Sequence, residues 1–352
     1  LLKYVRLLMV QYLQIFESLF KNYKYPTPIH KMMDEFVIGR IGANKGVRAF
    51  VFYKLYKLAG GRENISYLLA AIELHLASMY CFNVGADTKL GYDNKEKILT
   101  AFESHKIVYQ LSLLAIERFA SEPLAGKIQN VFEKTEKMFY EGQVLDIIIN
   151  LYKNIGRKPH EILTEIQSIS DVDIWQRYGM EKEFIVSALK NLPNTPIADY
   201  SFQRTYKINA AMLESFGEII GLILNLDKEK ITKLKNYGMY FGMGMMIVND
   251  IQDYSLDLIN DNNDKATREK NKNDVFSDIK KGKITWPIKF ALEVDPGLHK
   301  LFSKKLGDEN ISYKECDNIR KLFMKNGTFK RCVLESAYHG KLANDSISDF
   351  EN

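Results

Sequence analysis

The chain has 352 residues, of which 46% are hydrophobic and 26% are charged, so it is long enough to bury a large core. Its 49 basic and 44 acidic residues give a net charge of +5, which is too even a balance to favour nucleic acid as a partner. Three cysteines without metal-ligand spacing exclude a disulfide scaffold and fit a reducing compartment. We therefore expect a soluble protein without a transmembrane segment, in the cytoplasm, or in an organelle matrix if the start is trimmed.

Apolar residues recur at spacings of three and four along most of the chain, which predicts an all-α fold. The predicted helical segments are 47–59, 64–80, 97–120, 124–152, 203–225 and 229–256. The first should end at Gly60-Gly61, because glycine commonly follows the last turn of a helix. Three glycines inside the last segment, Gly238, Gly242 and Gly244, are costly in a helix, so we expect that helix to pack closely on a neighbour.

The domain organisation predicted from these segments is a single domain over residues 1–352. Two stretches interrupt the helical pattern. Residues 153–199 hold three prolines and form a divergent excursion, and residues 260–276 are polar and indicate a surface loop.

A cluster of oxygen-bearing side chains lies at the end of the segment 229–256. Asn249, Asp250 and Asp253 fall on adjacent turns of the predicted helix, and Asp257 extends the same face. Carboxylate and amide oxygens suit Mg²⁺, which bridges to substrate phosphates. The alternative is an acidic helix end on the protein surface, and spacing alone leaves both interpretations open.

Two basic clusters could hold phosphate groups. Lys283 stands in the run Ser277–Pro287, where lysines flank a glycine just before a helix that starts with proline. Upstream, Lys45 and Arg48 stand at the start of a predicted helix, and His75 lies on the next one. The alternatives are an ordinary basic turn for the first cluster and a core position for His75.

Taken together and in this order, these motifs resemble the trans-isoprenyl diphosphate synthases, over roughly residues 35–345. The resemblance is most specific over 237–292. There, Asn-Asp-x-x-Asp at 249–253 matches the family's second aspartate-rich motif, and the run Ser277–Pro287 matches the lysine loop that follows this motif in the family. Gly142-Gln143 with Asp146 is similar to the family's Gly-Gln-x-x-Asp helix, and Tyr200 with Lys207 to its Tyr and Lys pair. The fold that the resemblance implies is an isoprenoid-synthase bundle of α-helices around a deep apolar cavity.

The resemblance also implies roles for single residues. Isopentenyl diphosphate would be held by Lys45, Arg48 and His75, and the allylic diphosphate by Lys207 and Lys283. Magnesium would be held by Asn249, Asp250, Asp253 and Asp257. Lys207 and Asp250 would stand nearest to catalysis, because ionisation of an allylic diphosphate leaves a highly charged leaving group that bases and Mg²⁺ must stabilise.

The family's first aspartate-rich motif is degraded in this chain. At its place stands Phe82-Asn83-Val84-Gly85-Ala86, where Asn83, or Asp87 one position late, could offer oxygen to a metal. The expected arginine pair just beyond is replaced by Thr88-Lys89. An ordinary chain-elongating enzyme would be impaired by such losses, because a Mg²⁺ cluster depends on the charge of its carboxylates.

Three functions remain open from the sequence. The first, which we favour, is a divergent enzyme that transfers a prenyl group to isopentenyl diphosphate. The second is a terpene synthase (cyclase), since Asn249, Asp253 and Asp257 are similar to a cyclase metal triad and Arg204 lies where a cyclase has its diphosphate sensor. The third is a catalytically silent subunit. We expect a homodimer, with residues 97–120 at its interface, or a heteromer with an active paralogue.

Overall fold

In the computed structural model of the chain, the described residues are 14–15, 17–20, 46–86, 95–143, 145–146, 198–255, 275–308 and 310–351. Nearly all of them are helical and none of them forms a strand, which confirms the predicted all-α fold. The excursion at 153–199 and the loop at 260–276 lie outside the described residues apart from the last two residues of each. Lys45, Asp87 and Asp257 also lie outside them, and the single domain stays a prediction.

The helices follow the predicted order. The first group comprises α1 (Val47–Leu58), α2 (Ser66–Ala86), α3 (Lys95–Phe119) and α4 (Leu124–Gln143). The second comprises α5 (Ala198–Thr205), a π-helical turn (Tyr206–Ala210), α6 (Ala211–Leu224) and α7 (Lys228–Gln252). The third comprises α8 (Ser277–Lys281), α9 (Trp286–Val294), α10 (His299–Lys305), α11 (Tyr313–Lys325) and α12 (Thr328–Ile347). Short 3₁₀ turns occupy Pro296–Leu298 and Ser348–Glu351.

Local sequence signals set several helix ends. Helix α1 ends before Gly60, whose φ of 94° is left-handed backbone that glycine adopts without strain, as the Gly60-Gly61 pair predicts. Asp227 is the N-cap of helix α7, and its carboxylate accepts a 2.8 Å hydrogen bond from the Lys230 N–H. Helix α9 carries Pro287 in its first turn, where no amide hydrogen is needed.

Most of the core belongs to one cluster of apolar side chains contributed by α1 to α4, α6, α7 and the later helices. Helix α2 packs along α3, α6 along α7, and α7 along α12. Side chains on all sides of α2 are buried, which explains why this helix has no clear polar face.

The glycines of α7 lie where this helix touches its neighbours. A Cβ on Gly238 would lie 1.9 Å from the carbonyl oxygen of Leu213 in α6, and one on Gly242 would lie 2.6 Å from the Cα of Ala210. Neither position can hold a side chain at this separation of the helices. The close packing expected from the glycines is therefore confirmed.

One described helix, Ser66–Gly85, is long and apolar enough to cross a membrane by length and composition. About 83% of the most apolar stretch of this helix is buried inside the helical bundle. The same test is passed by the central helix of many globular proteins, so the feature is weak evidence for a membrane span.

Helix α3 was predicted to form a dimer interface. Most of its apolar side chains pack inside the chain against α2, and Leu99, 62% exposed, is the exception among the large apolar side chains described on this helix. The oligomeric state stays a prediction.

Candidate active site

A cavity of about 640 Å³ lies between α2 and α7, where the isoprenoid-synthase bundle was predicted to have one. Methionine and aromatic side chains make up much of its wall. The polar members of the wall are Arg48, Asn83, Asn209, Asn249, Gln252 and Ser336. Among the described residues that line it there is no carboxylate and no lysine. The cavity thus offers hydrocarbon surface with amide groups and one guanidinium.

Arg48 is the cation of this wall. Its Nη2 donates a 3.0 Å hydrogen bond to Oδ1 of Asn209, while its Nε is enclosed without a hydrogen-bond partner among the described residues. Asn209 in turn donates a 2.7 Å bond to the carbonyl oxygen of Gly242. Arg48 is thereby tied to the π-helical turn and to α7, and it keeps donor capacity for a ligand.

The π-helical turn at Tyr206–Ala210 determines where Asn209 and Lys207 point. A π turn widens the helix by one residue, and such turns are frequent at functional sites. Gly142 of α4 lies against it, since a Cβ there would be 3.0 Å from the Lys207 Cβ. Close by, the Lys207 ammonium forms an ion pair with Glu141. Lys207, predicted to hold the allylic diphosphate, is held by a carboxylate of the protein itself.

Arg204 lies at the centre of a buried ionic cluster. Its Nε donates to Oδ1 of Asp146 at 2.5 Å, and its Nη1 lies 3.3 and 3.2 Å from the two carboxylate oxygens of Asp250. Lys283 donates to the other oxygen of Asp146 at 2.6 Å. Two carboxylates therefore face two cations, and we name these four residues the Arg204 cluster.

Burial and charge act in opposite directions on the two acids of this cluster. Burial alone would raise the pKa of Asp146, but the charges of Arg204 and Lys283 hold that pKa well below its usual range. Burial raises the pKa of Asp250 to about 6 in spite of Arg204, because this carboxyl has no exposed surface. Both acids are thus ionised at neutral pH.

Asp253 has a different position from Asp250. Its Oδ1 accepts from the backbone N–H and the hydroxyl of Ser277, at 3.1 and 2.9 Å, and its Oδ2 accepts from the Asp278 N–H at 3.2 Å. These donors form the start of α8, so Asp253 caps that short helix. Its role in the fold is to hold the lysine loop against the end of α7.

The Mg²⁺ that the resemblance implies does not fit these carboxylates as they stand. Both oxygens of Asp250 accept from Arg204, and one also accepts from the Trp286 N–H at 3.1 Å. Asp253 is engaged with α8, and Asn249 faces the cavity as a neutral amide. Magnesium keeps most of its water and prefers charged oxygens, which the fully buried Asp250 cannot offer without losing Arg204. No group of three metal-binding side chains forms among the described residues.

His75 is buried, and its contacts are those of a core residue. Its Nε2 lies 2.7 Å from Oε2 of Glu136, and its ring stacks on Phe132 at 4.6 Å between centroids. Glu136 also lies 3.2 Å from His105 Nε2 and accepts a 3.0 Å bond from the Tyr140 hydroxyl. We name Glu136, His75, His105 and Tyr140 the Glu136 network. Of the two described members of the predicted isopentenyl diphosphate site, Arg48 lines the cavity and His75 is not among the described residues that line it.

The structure thus brings Arg48, Asn83 and Asn249 together in the cavity wall and places Arg204, Lys283, Asp146 and Asp250 in a separate cluster. The roles of these residues stay predictions. The sequence analysis missed Asn209, Glu136 and Glu141. Asn209 could have been noticed as an amide inside an apolar helical stretch, whereas the pairs His75–Glu136 and Lys207–Glu141 join residues more than 60 positions apart in the sequence.

Comparisons with known proteins agree with the motif analysis. The family model described as polyprenyl synthetase matches residues 175–323. A curated protein of Cyanophora paradoxa named prenyl transferase is 30% identical over 112 residues, which is 32% of this chain and 31% of that protein. The match therefore spans about a third of that relative's length.

Solved structures with the same fold cover almost the whole chain. A geranylgeranyl pyrophosphate synthetase from Pyrococcus horikoshii has a TM-score of 0.68 at 18% identity, with 99% of this chain and 90% of that one covered. A polyprenyl synthase from Caulobacter crescentus, complexed with calcium and isoprenyl diphosphate, has a TM-score of 0.67 at 15% identity, with 98% and 90% covered. At these identities the likeness establishes the fold. The chain has the isoprenoid-synthase fold, and its resemblance to the trans-isoprenyl diphosphate synthases is confirmed.

Proposed function

We propose that this chain binds a prenyl diphosphate in its central cavity and acts in isoprenoid biosynthesis by transferring the prenyl group to isopentenyl diphosphate. The observation that carries the proposal is the cavity of about 640 Å³ between α2 and α7, with Arg48 in a wall that is otherwise apolar or neutral. The match of residues 175–323 to the polyprenyl synthetases supports it.

Each part of the cavity has a task in this proposal. The Arg48 guanidinium binds phosphate oxygens, because its planar fork can donate two hydrogen bonds to them. Burial lowers the pKa of Arg48, whose charge also faces the buried Glu73, but an arginine keeps its proton at neutral pH. Met79, Phe139 and Phe241 pack against the hydrocarbon chain and keep water from a developing allylic cation.

Arg48 holds the diphosphate that leaves in the proposed transfer. No described carboxylate is assigned to Mg²⁺, since Asp250 and Asp253 are engaged with other groups of the protein. We further propose that the protein works in the cytoplasm or an organelle matrix, as a homodimer or with an active paralogue.

A second candidate is a catalytically silent subunit that binds a prenyl diphosphate without turnover. The ion pairs of Arg204 favour it, because they occupy the acids that the resemblance assigns to catalysis. The same pairs disfavour the cyclase alternative. Arg204, the predicted diphosphate sensor of a cyclase, is 2% exposed and is not among the described residues that line the cavity.

Product analysis separates these functions. Purified protein is incubated with labelled allylic diphosphates of increasing length, with and without isopentenyl diphosphate, in the presence of Mg²⁺ and in its absence. An elongated diphosphate supports prenyl transfer. A hydrocarbon or alcohol indicates a cyclase, and ligand binding without turnover indicates the silent subunit.

Calorimetry with isopentenyl and allylic diphosphates tests the binding site itself. Arg48→Ala should weaken binding by roughly 1.5–3 kcal/mol, the range for a hydrogen bond to a charged group, while the melting temperature stays nearly unchanged. Arg62→Ala is the matched control, because Arg62 is exposed and does not line the cavity. Equal binding by wild type and Arg48→Ala would exclude Arg48 as the phosphate ligand.

A further inference from the structure

The Arg204 cluster lies where the resemblance expects a metal-binding acid, yet both of its carboxylates are already paired with cations of the protein. Asp278 is a further acid close enough for its charge to raise the pKa of Arg204 and of Asp250. Asp250 has no exposed surface, and its two oxygens face Nη1 of Arg204 at 3.3 and 3.2 Å. The side chain of Arg204 is 3% exposed and that of Asp146 is 5% exposed. A hydrated divalent cation has no open approach to carboxylates buried in this way.

Asp146 completes the charge balance. One of its oxygens accepts from Arg204 at 2.5 Å and the other from Lys283 at 2.6 Å. With both oxygens bound to cations, Asp146 offers no unpaired charge to a third one. A divalent cation added here could reach the carboxylates only by displacing Arg204 or Lys283, and it would be repelled by both while they stay in place.

We propose that Arg204 is a built-in cation that replaces a divalent metal at Asp250 and Asp146, so that these two acids do not recruit Mg²⁺. This assignment concerns the charge state of the protein itself and holds whether or not a prenyl diphosphate binds. The guanidinium is a positioning group, because it acts on the two carboxylates and does not line the cavity.

The arrangement of the Arg204 cluster depends on the positions of three residues in the fold. Arg204 lies in the last turn of α5, two residues before the π turn starts, and its head group lies between α7 and the residues that follow α4. Lys283 reaches Asp146 from the loop between α8 and α9. Trp286, the first residue of α9, donates its backbone N–H to Asp250 and so holds this carboxylate from the side of α9.

The first experiment compares Mg²⁺ binding by the wild-type protein and by Asp250→Asn, with calorimetry and with melting temperatures from zero to 10 mM Mg²⁺. The two proteins should bind Mg²⁺ equally, or both should show no binding. A tenfold or greater loss of Mg²⁺ affinity in Asp250→Asn would overturn the assignment. This measurement involves no prenyl ligand, so it is independent of the proposed function.

The second experiment removes the built-in cation. In Arg204→Met the two acids lose their shared partner, so Mg²⁺ should raise the melting temperature of this variant by several degrees more than that of wild type. Arg204→Lys keeps a charge at the position and should respond as wild type does. An Arg204→Met variant that folds and shows the wild-type response to Mg²⁺ would overturn the proposal. If Arg204→Met does not fold, the comparison with Asp250→Asn decides alone.

Discussion

Two buried polar networks each include residues from helices that line the cavity, and they are stabilised in different ways. In the Glu136 network, one carboxylate is shared by two imidazoles and a phenol, and aromatic rings such as Phe82 and Phe132 surround the group. In the Arg204 cluster, two carboxylates face two permanent cations. The first depends on hydrogen bonds to a single charge, and the second on matched pairs of charges.

The difference teaches how a motif can persist in a sequence while its contacts change. Asp250 stands where the resemblance places the second aspartate-rich motif, and Arg204 holds it in a buried ion pair. His75 keeps its place on α2, but Glu136 holds it in the core. In both networks the charged groups pair within the protein, while Nδ1 of His75 is buried without a hydrogen-bond partner among the described residues. The cavity wall is left with Arg48 and amides.

The largest expected effect comes from breaking the ionic network. Arg204→Met leaves Asp250 buried without its cation, and removing one partner of a buried pair typically costs about 3–5 kcal/mol of unfolding free energy. Urea denaturation at pH 7.5 measures it. Arg331→Met is the matched control, because Arg331 is 48% exposed and its pair with Glu293 should be worth less than about 1 kcal/mol. Equal losses in both variants would contradict the difference drawn between buried and exposed pairs.

The next effect tests the close contact between α6 and α7. Gly238→Ala places a Cβ 1.9 Å from the Leu213 carbonyl oxygen, so α6 and α7 must move apart, at a cost of about 2–4 kcal/mol for such overpacking. Gly340→Ala on α12 meets nothing within 4 Å and should stabilise the protein by about 0.5–1 kcal/mol. Thermal unfolding of the two variants should therefore shift in opposite directions.

A smaller effect is expected from the Glu136 network. Glu136→Gln keeps the shape of the side chain but removes its charge, and the amide can satisfy only some of its three partners. We expect a loss of about 1–3 kcal/mol, the cost of leaving a buried donor unsatisfied. Glu335→Gln serves as control, because Glu335 lies 3.6 Å from His339 on the accessible side of α12. A loss larger than that of Arg204→Met would reverse the order of the two networks.

The sequence predicted the fold well because helical periodicity and glycine positions are local signals. The start of α1, the end at Gly60 and the close packing at Gly238 all follow from residues near each other in the chain. The site was predicted less completely. Arg48 and Asn249 do line the cavity, but the pairing of Arg204 with Asp146, 58 residues away, depends on how the helices pack. No local pattern could distinguish an acid that awaits a metal from one that already has a guanidinium.

The smallest effect is a pH dependence that separates the two networks. Burial lowers the pKa of His105 below 6.5, against the charge of Glu136, while the nearby His75 and Lys106 lower it further. The unfolded chain therefore takes up a proton before the folded protein does, and stability falls as the pH drops through 6.5. Glu136, whose pKa is held low by the hydrogen bond from His75 in spite of burial, remains ionised in this range.

Urea denaturation of wild type and His105→Gln at pH 7.5 and 5.5 measures this dependence. Wild type should lose stability with a slope of up to about 1.4 kcal/mol per pH unit for the one proton, and His105→Gln should lose less. Asp250, with a pKa of about 6, acts in the opposite direction because burial favours its protonated form, and His339, whose pKa burial lowers, acts in the same direction as His105. Both contributions are common to the two proteins, so they cancel in the difference between them. If His105→Gln and wild type lose the same stability, then protonation of the His105 imidazole is not linked to folding.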